Sequence, residues 1–208
     1  MTIVFPEKQL PTIAIVGRTN VGKSALFNRL TEKSKAMVSK VAGTTRTSNI
    51  ASFLWRGLTY RLIDTGGIDF DKKATYEKEI RGQIDQALEQ AQTIIFLVDL
   101  QSGLMPQEKS WARELRKTKI PIILAGNKAD NPKIRLQVYE RDWRKLGFGE
   151  PLPISAVNGS GVGDLLDVVI DKLSPYAKSL PAVKPMEKTA TRVAIIGRPN
   201  VGKSSLFN

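Results

Sequence analysis

Two glycines, a lysine and a serine stand at a fixed spacing in the segment GRTNVGKS, residues 17–24. The spacing matches the phosphate-binding pattern G-x-x-x-x-G-K-[S/T]. Gly17 and Gly22 let the backbone approach phosphates closely, in conformations that a Cβ would oppose. The loop amides and the amino terminus of the following helix attract an anion. We therefore expect Lys23 to reach the outer phosphates and Ser24 to ligate Mg²⁺.

A second polar segment, NKAD at 127–130, follows an apolar run and suits recognition of a base. Guanine carries an N1–H and a 2-amino group side by side, and one carboxylate accepts both. Asp130 is placed for this role, which adenine does not match. Asn127 is expected to tie this segment to the phosphate loop, and the stem of Lys128 is expected to lie along the base.

Downstream, SAVNG at 155–159 predicts a turn that completes the base site. The backbone amide of Ala156 is expected to meet the base oxygen O6. Ser155 is expected to brace the turn.

Two further segments predict contacts near a γ-phosphate. DTGG at 64–67 ends an apolar run, so Asp64 is expected to hold Mg²⁺ through water and the Gly67 amide to sense the γ-phosphate. GTTR at 43–46 offers a threonine as a second Mg²⁺ ligand, and the residues alone do not choose between Thr44 and Thr45. Loss of the γ-phosphate would release both segments.

These segments need a scaffold, and the alternation of short apolar runs with helical patterns predicts an α/β fold. We expect six strands, at 12–16, 48–55, 58–64, 93–99, 120–126 and 152–155. We expect helices at 23–32, 76–92, 106–118, 133–146 and 162–173. Only Arg56-Gly57 separates the second strand from the third, which predicts a tight hairpin. The sheet is therefore expected to be mostly parallel with one antiparallel strand and helices on both faces.

Composition narrows the chemistry and the partners. The 208 residues contain no cysteine and no histidine, which excludes thiolate chemistry and histidine-based triads. A secretory signal and a transmembrane run are not evident, so we expect a soluble, cytoplasmic protein. The formal net charge of +12 is spread along the chain and favours a polyanionic partner such as RNA.

The phosphate-loop segment occurs twice. IAIVGRTNVGKSALFN at 13–28 and VAIIGRPNVGKSSLFN at 193–208 agree at 12 of 16 positions. We expect a first domain at 1–175, a proline- and lysine-rich linker at 176–191, and the first strand and loop of a second domain at 192–208. Because 17 residues cannot bury a core, this second loop (Gly197, Lys203, Ser204) is expected to bind no nucleotide.

With these motifs in this order, residues 12 to about 175 resemble an Era-like P-loop GTPase. Three features together resemble the Der (EngA) family. They are the tandem phosphate loops, the segment GRTNVGKSALFNRL at 17–30 and the segment LIDTGGID at 62–69. That resemblance implies GTP hydrolysis to GDP as a switch in assembly of the large ribosomal subunit, and binding to that subunit or its rRNA. It also implies that this chain is a fragment of a longer protein. We expect the chain to be a monomer. The family pattern favours Thr45 over Thr44, although the family commonly has Pro at position 19 and Asp at position 47, where this chain has threonine.

The expected nucleotide-binding residues are Gly17, Asn20, Val21, Gly22, Lys23, Ser24, Ala25, Asp64, Gly67, Asn127, Lys128, Asp130, Ser155 and Ala156. The expected catalytic residues are Lys23, Asn20, Thr45 and Gly67. Mg²⁺ is expected at Ser24, Thr45 and Asp64.

The hydrolytic step has no obvious glutamine. Ile68 stands where many related GTPases have a glutamine that positions water. Arg18 and Arg46 are candidates for an arginine finger, although surface or structural roles suit them better. Resemblance to relatives with asparagine at the position of Asn20 implies a K⁺ ion there; alternatively, Asn20 only braces the loop. Two other readings stay open: a nucleotide-gated rRNA-binding module with negligible hydrolysis, and a P-loop ATPase, which Asp130 disfavours.

Overall fold

The order of apolar and amphipathic segments produces one sheet flanked by helices in the computed structural model, which describes residues 10–32, 49–67, 76–140 and 142–179. The strands are β1 (Thr12–Val16), β2 (Asn49–Trp55), β3 (Leu58–Asp64), β4 (Thr93–Asp99), β5 (Ile122–Asn127) and β6 (Leu152–Pro153). The helices are α1 (Lys23–Glu32), α2 (Tyr76–Gln90), α3 (Pro106–Leu115), α4 (Pro132–Glu140) and α5 (Val162–Ser179). Short 3-10 turns lie at Thr65–Gly67 and Trp143–Leu146.

The six strands follow the order β2-β3-β1-β4-β5-β6. β2 and β3 pair antiparallel, and every other neighbouring pair is parallel. Arg56 and Gly57 both have positive φ, at 48° and 81°, as a two-residue hairpin turn requires. The predicted mostly parallel sheet with one antiparallel strand is confirmed.

Each face of the sheet carries its own apolar core. Ile15 faces the core beneath α1 and α5, where it joins Leu26 and Leu165. Phe96 faces the opposite core, with Ile84 of α2 and Trp111 of α3. All residues of β1 and β4 are buried, because these central strands are covered on both sides.

Several element ends differ from the predicted ones. The predicted helix 133–146 is two pieces: α4 ends at Glu140, and a separate 3-10 turn closes on Gly147, whose φ of 83° suits glycine. Helices α2 and α3 end earlier than predicted, at Gln90 and Leu115. Strand β5 begins and ends later than the predicted strand 120–126, and β6 stops at Pro153.

Helix α5 continues to Ser179 and so covers the first residues of the predicted linker. Leu165, Leu166, Val169 and Leu173 of this helix are buried, and Ile170 is half-buried. The rest of the linker, the second phosphate loop and positions 44, 45, 46 and 68 lie outside the described residues. Among the helices described, none has the length and apolar character needed to cross a membrane.

Candidate nucleotide-binding site

The predicted site residues gather at one edge of the sheet. Strands β1, β3, β4 and β5 are parallel, so their carboxyl ends share that edge. Asp99 pairs with Asn127 across β4 and β5, and Asp64 pairs with Ile15 across β3 and β1. β3 lies on one side of β1 and β4 lies on the other, and this placement creates the switch point where open α/β sheets bind ligands.

The two phosphate-loop glycines occupy positions that a side chain cannot share. Gly17 has φ 148°, and a Cβ there would lie 2.4 Å from the carbonyl oxygen of Leu97. Gly22 has φ 96°, and its Cβ would lie 2.3 Å from Nδ2 of Asn127. A Cβ is therefore opposed at both positions, as predicted, while the close approach of the backbone to phosphate stays a prediction.

Lys23 lies across the phosphate loop at the start of α1. Its side chain is buried, and Nζ donates hydrogen bonds to the carbonyl oxygens of Gly17 at 2.7 Å and Arg18 at 3.0 Å. The turn after β3 is close, because a Cβ on Gly66 would lie 2.6 Å from Cε of Lys23. The ammonium group is thus held between the phosphate loop and the D-x-x-G turn.

An oxygen pair lies beside this lysine. The Ser24 hydroxyl donates a 2.8 Å hydrogen bond to Oδ2 of Asp64, and Oδ1 of Asp64 accepts one from the Gly66 amide at 2.9 Å. Hydroxyl and carboxylate oxygens are the donors that Mg²⁺ prefers. Gly67 ends the same 3-10 turn. The pair therefore suits a divalent cation, to which the described residues contribute Ser24 and Asp64.

Asn127 joins the base loop to the phosphate loop. Its Nδ2 donates to the carbonyl oxygen of Val21 at 2.8 Å, and its Oδ1 accepts from the Ala156 amide at 2.9 Å. Asn127 as a whole is 3% exposed. The predicted tie between the two loops is confirmed, and the same amide group also holds the turn at 155–159.

Asp130 presents its carboxylate to solvent at the end of this arrangement. The Ser155 hydroxyl donates a 2.5 Å hydrogen bond to Oδ1 of Asp130 and accepts one from the Asn158 amide at 3.3 Å. Nε2 of Gln101 lies 3.5 Å from Oδ2 of Asp130. The predicted bracing by Ser155 is confirmed, and it acts on the carboxylate as well as on the turn.

Sequence reasoning missed a set of charged side chains next to these loops. Asp99, at the end of β4, accepts a 2.8 Å hydrogen bond from Nζ of Lys128. Arg18 donates through Nε to the buried Glu108 at 2.6 Å, and its Nη2 lies 3.8 Å from Asp99. These contacts anchor Arg18 within the protein, as expected of a structural residue. A polar residue ending an apolar strand, in FLVDLQSG, is the signal that pointed to Asp64 and could have pointed to Asp99.

The electrostatics of Asp99 reflect this position. Burial alone raises the pKa of the carboxyl group, but hydrogen bonds from Lys128 and Ser102 outweigh burial and hold the pKa of Asp99 below its ordinary value. Asp99 is therefore a carboxylate anion that is almost completely buried.

Comparisons with known proteins agree with this geometry. The family described as 50S ribosome-binding GTPase matches residues 12–128 and 192–208. GTPase Der of Streptococcus pneumoniae (strain Hungary19A-6) is 46% identical over 200 residues, which is 96% of this chain and 44% of that protein. The chain thus spans less than half the length of the curated relatives it matches.

Solved structures show the same architecture. Era in complex with MgGDPNP and nucleotides 1506–1542 of 16S ribosomal RNA superimposes with a TM-score of 0.60 at 28% identity, over 86% of this chain and 59% of that one. The G domain of the T. maritima FeoB iron transporter superimposes with a TM-score of 0.57 at 26% identity, over 78% of this chain and 98% of that one.

A phosphate loop, a D-x-x-G turn and an N-K-x-D loop on this sheet define a P-loop protein of the GTPase class. The chain belongs to the 50S ribosome-binding GTPase family. The resemblance to Der drawn from the motifs is confirmed by the match to GTPase Der. The individual nucleotide, metal and catalytic contacts stay predictions.

Proposed function

We propose that this chain binds GTP and GDP with Mg²⁺ and hydrolyses GTP in the cytoplasm, as a switch in assembly of the large ribosomal subunit. The observation that carries the proposal is the pair of hydrogen bonds through Asn127, which holds the phosphate loop and the base loop at a common edge. A nucleotide spans two such loops.

At the phosphate end, the loop amides and Lys23 hold the β- and γ-phosphates, and the Gly67 amide senses the γ-phosphate. The ammonium group of Lys23 now donates to two backbone carbonyl oxygens and would exchange those bonds for phosphate oxygens. Ser24 and Asp64 would hold Mg²⁺, with Thr45 as a further ligand. Bound Mg²⁺ supplies positive charge to the phosphate oxygens.

At the base end, the Asp130 carboxylate accepts hydrogen bonds from N1–H and the 2-amino group of guanine. Ser155 already occupies one lone pair of Oδ1 and so orients the carboxylate. The stem of Lys128 lies along the base. The Ala156 amide, which donates to Asn127, would have to share its hydrogen with the guanine O6.

For hydrolysis, we propose Asn20 as a K⁺ ligand. K⁺ would supply positive charge beside the phosphates in a chain whose Arg18 is bound to Glu108. Backbone geometry supplies a second reason for asparagine, since Asn20 has φ 65° and asparagine tolerates this conformation. Turnover in K⁺ and in Na⁺ at matched ionic strength separates the two reasons, because only a K⁺ ligand predicts faster hydrolysis in K⁺.

The ribosomal role is supported by the family description, by the likeness to GTPase Der and by the net charge of +12. The alternative is a nucleotide-gated rRNA-binding module with negligible hydrolysis, which Ile68 favours. Single-turnover reactions with and without large ribosomal subunits distinguish the two, because the binding module would leave the γ-phosphate intact in both.

The test of the proposed function is a competition titration of GTP against ATP on the wild-type chain and on Asp130→Ala. Two hydrogen bonds to a charged acceptor are lost in the variant, so we expect its GTP affinity to fall about 100-fold or more. Asp142→Ala is the matched control, because Asp142 is an exposed carboxylate paired with Lys145 in a turn. Equal binding of GTP and ATP by the wild type would overturn the proposal.

A further inference from the structure

A chain of alternating charges crosses the site behind the two loops. It runs from Glu108 through Arg18 and Asp99 to Lys128, with N···O separations of 2.6, 3.8 and 2.8 Å. The carboxylates of Asp99 and Glu108 are 4% and 1% exposed. Two carboxylates so covered are stabilised by the neighbouring cations only while this arrangement is kept.

We propose that Asp99 is a positioning residue which, through Lys128, sets the guanine-binding loop relative to the phosphate loop. The proposal rests on the proposed function, since it concerns the same nucleotide site. Lys128 has a positive φ of 67°, so its backbone conformation is uncommon for a side-chain-bearing residue. A hydrogen bond at the far end of its side chain fixes where the aliphatic stem lies.

The two carboxylate oxygens of Asp99 have different hydrogen-bond partners. Oδ1 accepts hydrogen bonds from the backbone amides of Gln101 at 2.9 Å and Ser102 at 3.3 Å. Oδ2 accepts from the Ser102 hydroxyl at 2.8 Å and from Nζ of Lys128 at 2.8 Å, and it is also the atom nearest Arg18. Both oxygens therefore hold the loop that follows Asp99, and Oδ2 also accepts the hydrogen bond from Lys128.

The loop that Asp99 begins also contacts the base loop through other atoms. The Leu100 amide donates to the carbonyl oxygen of Asn127 at 3.0 Å. Nε2 of Gln101 donates to the carbonyl oxygen of Lys128 at 3.3 Å, and it approaches the Asp130 carboxylate. Residues 99–101 thus form a support beneath the base loop, and Asp99 supplies the charged contact.

The first experiment uses Asp99→Asn, which keeps an acceptor for the loop amides and replaces the oxygen facing Lys128 by an amide nitrogen. We expect GDP affinity of the 208-residue chain to fall about tenfold. Binding of inorganic tripolyphosphate, a probe without a base, should change less than about twofold. If Asp99 had a purely structural role, the affinities for GDP and for tripolyphosphate would fall together, and that result would overturn the proposal. The matched control is Glu114→Gln, which removes a surface ion pair between Glu114 of α3 and Lys117, just after that helix.

A second variant keeps the test decisive if Asp99→Asn fails to fold. Lys128→Met retains an apolar stem but loses the ammonium group, so we expect a similar loss of GDP affinity without a loss of tripolyphosphate binding. Unchanged GDP affinity in Lys128→Met would overturn the proposal. Where both variants fold, the double variant should bind GDP as weakly as Lys128→Met alone. If the fold-losses in GDP affinity of the two single variants multiply in the double variant, Asp99 does not act through Lys128.

The wild type separates this inference from the proposed function. Failure of the wild-type chain to bind GDP in the presence of Mg²⁺ would refute the guanine site itself. Tight GDP binding by the wild type and by Asp99→Asn alike would refute only the role of Asp99.

Discussion

Replacing Asn127 by alanine should destabilise the protein even without a nucleotide. The side chain bridges the Val21 carbonyl oxygen and the Ala156 amide at 2.8 and 2.9 Å, and all three residues are buried. Alanine would leave one acceptor and one donor without their partner. These two groups belong to different loops, so the loss acts on the junction between the phosphate loop and the base loop.

The magnitude follows from the cost of leaving buried polar groups without partners. Each such group costs about 1–3 kcal/mol, so two of them cost roughly 2–6 kcal/mol before the structure relaxes. We expect about 3 kcal/mol, because water can enter the space beside Gly22 and meet part of the loss. For a domain of this size, that corresponds to a decrease in Tm of roughly 6–12 °C.

Urea unfolding of the nucleotide-free protein measures this directly, with the slope compared between variants to verify that compactness is unchanged. Asn158→Ala is the matched control, since its side chain accepts one exposed hydrogen bond, from the Ser160 amide, and should cost about 0.5 kcal/mol. If Asn127→Ala loses no more stability than Asn158→Ala, the bridge has little energetic weight and the reasoning is refuted.

Three further predictions follow from individual contacts. Ser24→Ala removes the hydroxyl that donates to Asp64. We expect the gain in GTP affinity on adding Mg²⁺, compared with EDTA, to shrink about tenfold or more. An unchanged gain would exclude Ser24 as a metal ligand. Gly17→Ala places a Cβ against the Leu97 carbonyl oxygen and should cost about 3 kcal/mol or more in urea unfolding, whereas a neutral result would contradict the loop geometry. Because the pKa of Asp99 lies below its ordinary value of 3.8 in the fold, its stabilisation is present above that value and is lost as the pH falls through the folded pKa. The difference in unfolding free energy between the wild type and Asp99→Asn should therefore be constant between about pH 7 and 5 and shrink below about pH 4; a difference that grows on acidification would contradict this sign.

Strand positions were largely predictable, whereas helix ends were not. The predicted strands 12–16, 58–64 and 93–99 match the structure. The first and third of these are buried along their whole length, and buried parallel strands read as continuous apolar runs. The predicted helix 133–146 did not hold, because Asp142 takes a non-helical conformation, with φ −80° and ψ 61°, before the turn that buries Trp143. Apolar periodicity does not register such a break, since the buried positions continue on both sides of it.

The amino-acid sequence by itself predicts the class of ligand, because the phosphate loop, the D-x-x-G turn and the N-K-x-D loop are contiguous segments whose chemistry is local. It also predicts the backbone conformations at Gly17 and Gly22 that a Cβ would oppose, because these conformations belong to the phosphate-loop pattern itself. Only the tertiary structure decided which segments meet. The contacts of Asp99 with Lys128 and of Arg18 with Glu108 join residues 29 and 90 positions apart, and the strand order brings them together. Ion pairs of this kind leave no periodic trace in a sequence, because the partners lie on separate elements and only the packing of those elements sets the distance between them.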